Sequence, residues 1–426
     1  MRLWPSGLRN KFEEAVAVCA RWGFFTRGGL VLVLAMTTFA LFMGPGLSPV
    51  QKTFAAEKEV ELIENQVGAV REVVRENVKL VPPRREPEEG KTEFVVMPIP
   101  VANPTVGAGL AAVGMFLYKA SENAPTSNTT VGGLYTNNDT WAVAVSQKTY
   151  LDGDRFRLNG IAGYGNINLD FAGIGSESGK QGVTVPITEK GYMFMPDFLY
   201  RFATHFYGGV RYRYLDFKTV VDPQYITVGG QPISPDVDFA YESRVRSSGL
   251  GLVMNYDSRD NGFYPYRGTF FDANAVFATK ALGSDVDYQV YQGAYNTYFT
   301  IAEKMTLAYR FYGRFTAGEV PLYDLSYFGA HNDLRGYAAG EFVDQMMLAT
   351  QLEFRWRFWK RWGMVAFGGV GKVGRDLNDL DSRDLLPSAG VGLRFVASEK
   401  ERVNLSIDYA RGREGDAVYF YIGEAF

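Results

Sequence analysis

The residue types that carry catalysis are scarce in this chain. Its 426 residues include two histidines, His205 and His331, and one cysteine, Cys19. A hydrolase acting through an activated serine needs a base such as histidine, oriented by a third group. Neither histidine stands in a convincing set of that kind. One cysteine excludes an intramolecular disulfide framework and a four-cysteine zinc site, and two histidines leave little for a histidine-rich metal site. No cofactor or metal is implied, and no enzymatic activity is expected. The chemistry on offer is ionic. Asp257, Arg259 and Asp260 lie close together in Asn255-Tyr256-Asp257-Ser258-Arg259-Asp260, followed by Pro265 and Gly268. They suit a hydrogen-bonded cluster that fixes a turn after a strand. Substrate contact is the alternative role for them. His331 suits a loop or lumen position better than a catalytic one.

Such charges need elements to hold them, and from about Thr92 the pattern has a period of two. In 351–358, Leu352, Phe354, Trp356 and Phe358 point one way and Glu353, Arg355 and Arg357 the other. In 304–315, Met305, Leu307, Tyr309, Phe311 and Phe315 oppose Lys304, Arg310 and Arg314. In 402–410, Val403, Leu405, Ile407 and Tyr409 oppose Arg402, Asn404, Ser406 and Asp408. Each segment reads as a strand with an apolar, aromatic face and a charged face. Several run past the usual five or six residues. Short turns alternate with longer loops such as 222–238. About 16 such strands suggest a transmembrane antiparallel β-barrel, which satisfies every backbone group without an open edge. Aromatics at 15% and hydrophobic residues at 46% exclude a disordered chain. A net charge of −3 argues against a nucleic-acid partner. The chain ends in 418–426, where Phe420, Ile422, Gly423 and Phe426 read as the C-terminal signal of an outer-membrane barrel.

The N-terminal part differs. Residues 28–43 form an apolar run preceded by Arg2, Arg9, Lys11, Arg21 and Arg27, and small residues surround Phe54. Residues 1–56 therefore read as a secretory signal peptide; an uncleaved anchor is the alternative. Val60, Ile63, Val67, Val70 and Val74 fall on one helical stripe. Residues 57–91 are thus expected to form a short periplasmic helical segment with a proline-rich linker. The stripe suits a solvated amphipathic helix, or else self-association or a plug-like contact. Residues 92–426 are left for the barrel. Pro98, Pro100 and Pro104 read as the approach to a first strand over 106–119.

Three motifs carry a family resemblance. The segment 255–268 resembles the Asp-Thr-Arg-Asp-Asn-Pro element of the bacterial surface antigen, or BamA/TamA-type, superfamily. Leu334-Arg335-Gly336-Tyr337 is similar to the Arg-Gly motif on that superfamily's sixth outer loop. Residues 388–395 look like its third-last strand. The resemblance covers roughly 94–426. It implies that the sixth loop folds into the lumen and that Arg335 pairs there with acidic side chains, with Gly336 giving a tight backbone and Tyr337 a stacking surface. Glu353 is the expected partner, with Asp344 as a second possibility. The family pattern also has an aspartate on the following strand. Here Gly369 stands in its place, so Arg335 is expected to rely on Glu353 alone or on Asp344. Relatives that fold or secrete proteins carry periplasmic polypeptide-transport-associated domains. About 35 residues between the signal and the barrel would not accommodate one.

The expectation is a bacterial outer-membrane barrel that inserts or translocates protein, or lipid, at that membrane. Its seam would lie between 106–119 and the last strand. Its partners would be outer-membrane lipid and a periplasmic or outer-membrane protein. A passive pore or surface-binding barrel is the alternative.

Overall fold

The protein is described by a computed structural model. It describes residues 93–426 except 122–123, 176–178, 180–181, 222–225, 229–230, 233–240, 331, 378–383, 400–401 and 414. The signal peptide, the helical stripe and His331 lie outside the described residues.

Sixteen long strands run in chain order: β1 (Glu93–Asn103), β2 (Gly107–Tyr118), β3 (Ser127–Thr136), β4 (Trp141–Leu151), β5 (Phe156–Phe171), β6 (Val183–Ala203), β7 (Phe206–Val221), β8 (Tyr241–Asp257), β9 (Gly268–Ala278), β10 (Tyr288–Ala302), β11 (Met305–Gly318), β12 (Met346–Trp359), β13 (Trp362–Gly374), β14 (Leu386–Ser398), β15 (Val403–Arg411) and β16 (Asp416–Ile422). Each pairs antiparallel with its neighbour in sequence, and β1 meets β16 to close the barrel. Alternation decides the faces. Leu110, Val131, Val143, Tyr192 and Leu252 are exposed on the outer wall, where the bilayer's hydrocarbon covers them. The opposite parity turns Arg213, Arg310, Glu353, Arg355, Arg394 and Asp408 into the lumen, where all are buried.

Connections at one end are tight: residues 204–205, 303–304 and 360–361 each turn the chain. His205 sits in the first of these with φ +66. The other end carries long loops, above all the one between β11 and β12, residues 319–345. Short turns mark the periplasmic end and long loops the outer end.

The first strand departs from expectation. It is β1 over Glu93–Asn103, so Pro98 and Pro100 lie inside it, and 107–118 is the second strand. The seam therefore joins β1, not 106–119, to β16. Ala102 and Phe420 are its single registered pair. Every other interface around the barrel has at least the seven pairs of β15–β16. Proline explains the difference. The ladder from β1 to β2 runs unbroken through Pro98 and Pro100. Their hydrogen-less nitrogens then fall on the seam edge, where proline is tolerated. Continuing the seam register would set Pro100 against Ile422, a pair that lacks one of its amide donors.

Candidate functional site: the loop held inside the lumen

The 319–345 loop turns into the barrel and builds an apolar core there. Phe328, Leu334, Tyr337 and Phe342 from the loop pack with Met347, Ala349, Val373 and Leu386 from the wall. The edges of the Phe328 and Phe342 rings meet Tyr337 at 5.1 and 5.8 Å between centroids. Burying side chains of this size contributes roughly 1.5–3 kcal/mol each.

Arg335 sits at the centre and is fully buried. Its Nη2 donates to Glu353 at 2.5 Å and to Gln351 at 2.9 Å, and its Nη1 donates to Asp408. The guanidinium carbon lies 3.4 Å from the centre of the Phe367 ring. The carboxylates are themselves tied. Glu353 accepts from Arg355 at 2.7 Å, and Asp408 accepts from Arg394 and from the Tyr421 hydroxyl, both at 2.5 Å. Arg394 also reaches Glu424 at 2.8 Å. Three arginines and three carboxylates thus form one network, none more than 2% exposed. Burial pushes the Arg335 pKa down, but Glu353 and Asp408 outweigh it and hold the group above its ordinary range.

Glu353 is where the sequence reading placed it. Asp344 is not a partner of Arg335. Its Oδ1 accepts from the Gln345 amide at 2.7 Å, beside the two-residue pairing of 326–327 with 343–344. The second carboxylate is Asp408, three strands beyond Glu353. Gly369 explains the exchange. A Cβ built there would lie 2.6 Å from Leu334 Cδ1 and would press on the Thr350 carbonyl. The missing side chain opens a hollow that Leu334 enters. Arg335 then lies over Phe367 and reaches β15.

The backbone of the tip is also held. Gly336 adopts φ +106, and a Cβ would stand 2.8 Å from the Gly412 nitrogen. Its N–H donates to the Tyr419 hydroxyl at 2.8 Å, Ser388 Oγ donates to the Arg335 carbonyl, and the Tyr337 hydroxyl donates to Pro387 O at 2.5 Å. Three residues on, the Ala339 N–H donates to Thr105 Oγ1 at 2.8 Å. Tyr419 belongs to β16 and Thr105 to the turn after β1, so the tip spans the seam.

Two acids of the same loop escaped the sequence reading. Asp324 meets Arg213 and Arg314, the latter at 2.5 Å, and the Tyr288 hydroxyl at 2.6 Å. Burial pushes its pKa up, but Arg213 and Arg314 bring it below the usual carboxylate range. Asp333 meets Arg310 at 2.7 Å. There burial wins and the pKa is raised. The strand alternation had put Arg310 and Arg314 on the lumenal face, but nothing local showed which acids would reach them.

The turn residues Asp257, Arg259 and Asp260 organise 257–268. Asp257 accepts from Arg259 Nε at 2.9 Å and Nη2 at 2.8 Å. Asp260 Oδ1 accepts from the Tyr266 and Arg267 amides at 2.9 and 3.2 Å. Its Oδ2 accepts at 2.6 Å from Arg402, on a distant turn. Gly268 adopts φ +106 and approaches the Ser258 carbonyl. Pro265 and Tyr264 are buried. The turn delivers Tyr264 to the periplasmic end of the lumen, 5.5 Å from Arg355.

Of the C-terminal residues, Phe420 and Ile422 lie on β16, the strand's last residue being Ile422. Gly423 then takes φ +95, and the chain leaves the strand. Phe426 lies inside, its carbonyl oxygen accepting from Arg355 at 2.8 Å. The terminal aromatic therefore does not continue the strand as the alternation suggested.

A closed 16-strand barrel with an apolar outer wall and a loop pinned in a charged lumen defines a bacterial outer-membrane β-barrel. The domain model of the Omp85 superfamily matches residues 127–426, and the chain belongs to that superfamily. Among solved structures, BamA from Haemophilus ducreyi lacking POTRA domains 1–3 is similar at a TM-score of 0.53 and 16% identity, over 78% of this chain and 70% of that one. CdiB from Escherichia coli is similar at 0.51 and 8%, over 80% and 63%. CdiB from Acinetobacter baumannii gives 0.47 and 12%, over 78% and 59%. At these identities the likeness is one of fold, and the chain spans less than two thirds of either CdiB. No curated protein matches the sequence.

Proposed function

We propose that this barrel inserts or translocates polypeptide, or lipid, at the outer membrane by opening between β1 and β16, with the loop tip as the latch. The observation that carries the reading is the seam itself. It has one registered pair, and a loop bonded to Tyr419 on one side and to Thr105 on the other crosses it. Membership of a family that includes BamA supports the same reading. The protein acts without catalytic chemistry in this scheme, with residues 1–56 as its export signal. Its contacts are outer-membrane lipid and a client or partner protein.

A seam disulfide tests it. Ala102→Cys with Phe420→Cys, in a background with Cys19 replaced, joins the registered pair. Oxidation should abolish client insertion or export, and a reductant should restore it. Full activity with the bond formed would dismiss lateral opening.

A further inference from the structure

The lumenal wall near its periplasmic end carries donors that the protein does not satisfy. Arg355 Nη1, Arg357 Nη2 and Thr306 Oγ1 are buried atoms with no hydrogen-bond partner, and the Tyr298 hydroxyl makes no hydrogen bond of proper geometry. They are neighbours. Thr306 and Arg355 are directly paired across β11 and β12, which sets their Cβ atoms about 5 Å apart. Arg357 follows Arg355 on the same face. Tyr298, on β10, has its ring 5.6 Å from the Arg355 guanidinium. Tyr264 lies against the patch from the turn, 5.5 Å from Arg355 and 5.8 Å from Arg357.

One of the cations there, Arg357, stands outside the network of three arginines and three carboxylates. Arg355 spends Nε on Glu353 and Nη2 on the Phe426 carbonyl oxygen, with Glu424 3.9 Å from its Nε. Arg335 and Arg394 share the remaining carboxylate contacts. Arg357 pairs with no carboxylate among the described residues; its guanidinium lies 5.8 Å from the Tyr264 ring, and its amide bonds to the Lys304 carbonyl. Buried polar groups in native proteins are nearly always satisfied.

We infer that Thr306, Arg355 and Arg357 form an oxyanion-binding site on the lumenal wall, roofed by Tyr264. One unpartnered nitrogen from each guanidinium and a hydroxyl match the several acceptor oxygens of a phosphate group. The group is either a free phosphate or the headgroup of an anionic phospholipid.

The experiment uses the full mature chain in detergent and in nanodiscs. Thermal unfolding is followed with rising sodium phosphate against sodium chloride at matched ionic strength. Native mass spectrometry follows retention of phosphatidylglycerol against phosphatidylcholine. A saturable phosphate stabilisation, weakened at least tenfold in Arg357→Gln and severalfold in Thr306→Val, assigns a free phosphate. Selective retention of phosphatidylglycerol that both variants lose, without a phosphate effect, assigns the headgroup. Thr306→Val keeps every charge and so controls for misfolding. If wild type and both variants behave alike in both arms, the site does not exist.

Discussion

Replacing Arg335 with methionine isolates the latch, because the side chain keeps much of its apolar bulk and loses only the guanidinium. Glu353 would keep Arg355 at 2.7 Å, and Asp408 would keep Arg394 and Tyr421 at 2.5 Å. The six-member network would nevertheless hold one uncompensated negative charge, at sites without solvent. Breaking a fully buried pair from one side costs about 3–5 kcal/mol. The lost contact with Phe367, 3.4 Å away, adds about 1–2 kcal/mol. Taking the lower end, a loss of about 3 kcal/mol raises the undocked loop population roughly a hundredfold, at about 1.4 kcal/mol per decade. Planar-bilayer recording reads this directly. Wild type should stay closed for long periods, and Arg335→Met should show frequent large openings while heat-modifiable mobility shows an intact barrel. The double variant Arg335→Met with Asp408→Leu removes the excess negative charge and should recover part of the closed time. Equal closure in wild type and Arg335→Met would refute the reasoning.

Two other outcomes follow from the same geometry. Gly369→Asp restores the residue of the family pattern, yet it should loosen the loop, because the new side chain would occupy the space Leu334 fills; protease sensitivity of the loop, higher than wild type, checks this. Asp324 has a lowered folded pKa, so its stabilisation is present above its unfolded value near 4 and is lost as pH falls through the folded one. Asp333 has a raised pKa and so gains on protonation. The loop should therefore stay docked at pH 5 and release only below pH 4, as read by conductance, and Asp324→Asn should weaken that dependence.

Much of this was legible in the residues. Alternation in 351–358 and 402–410 put Glu353 and Asp408 on the charged face, and the Arg-Gly pair marked the loop. What alternation cannot supply is register between distant strands. Arg335 and Asp408 are 73 positions apart, and no local pattern ties them. Gly369 read as a lost carboxylate because its space, rather than its chemistry, is what the fold uses. Pro98 and Pro100 read as a prelude to a strand because proline is poor in ladders. The seam edge is the place where that defect is tolerated. Phe426 misled for a related reason: Gly423 permits a φ that breaks the alternation just before the end.

The arginine network also fixes an order of assembly. Its members come from the 319–345 loop, β12, β14, β15 and the residues after β16. None of these charges can leave water cheaply until its partners have arrived, and the last of them is at the C-terminal end of the chain. Contacts of such long sequence separation form late. A barrel missing its final strand would hold Arg335 and Asp408 hydrated and the loop undocked, so entry of the loop reports that the cylinder is complete. Protease resistance of the loop would then serve as a clock for the final step of biogenesis.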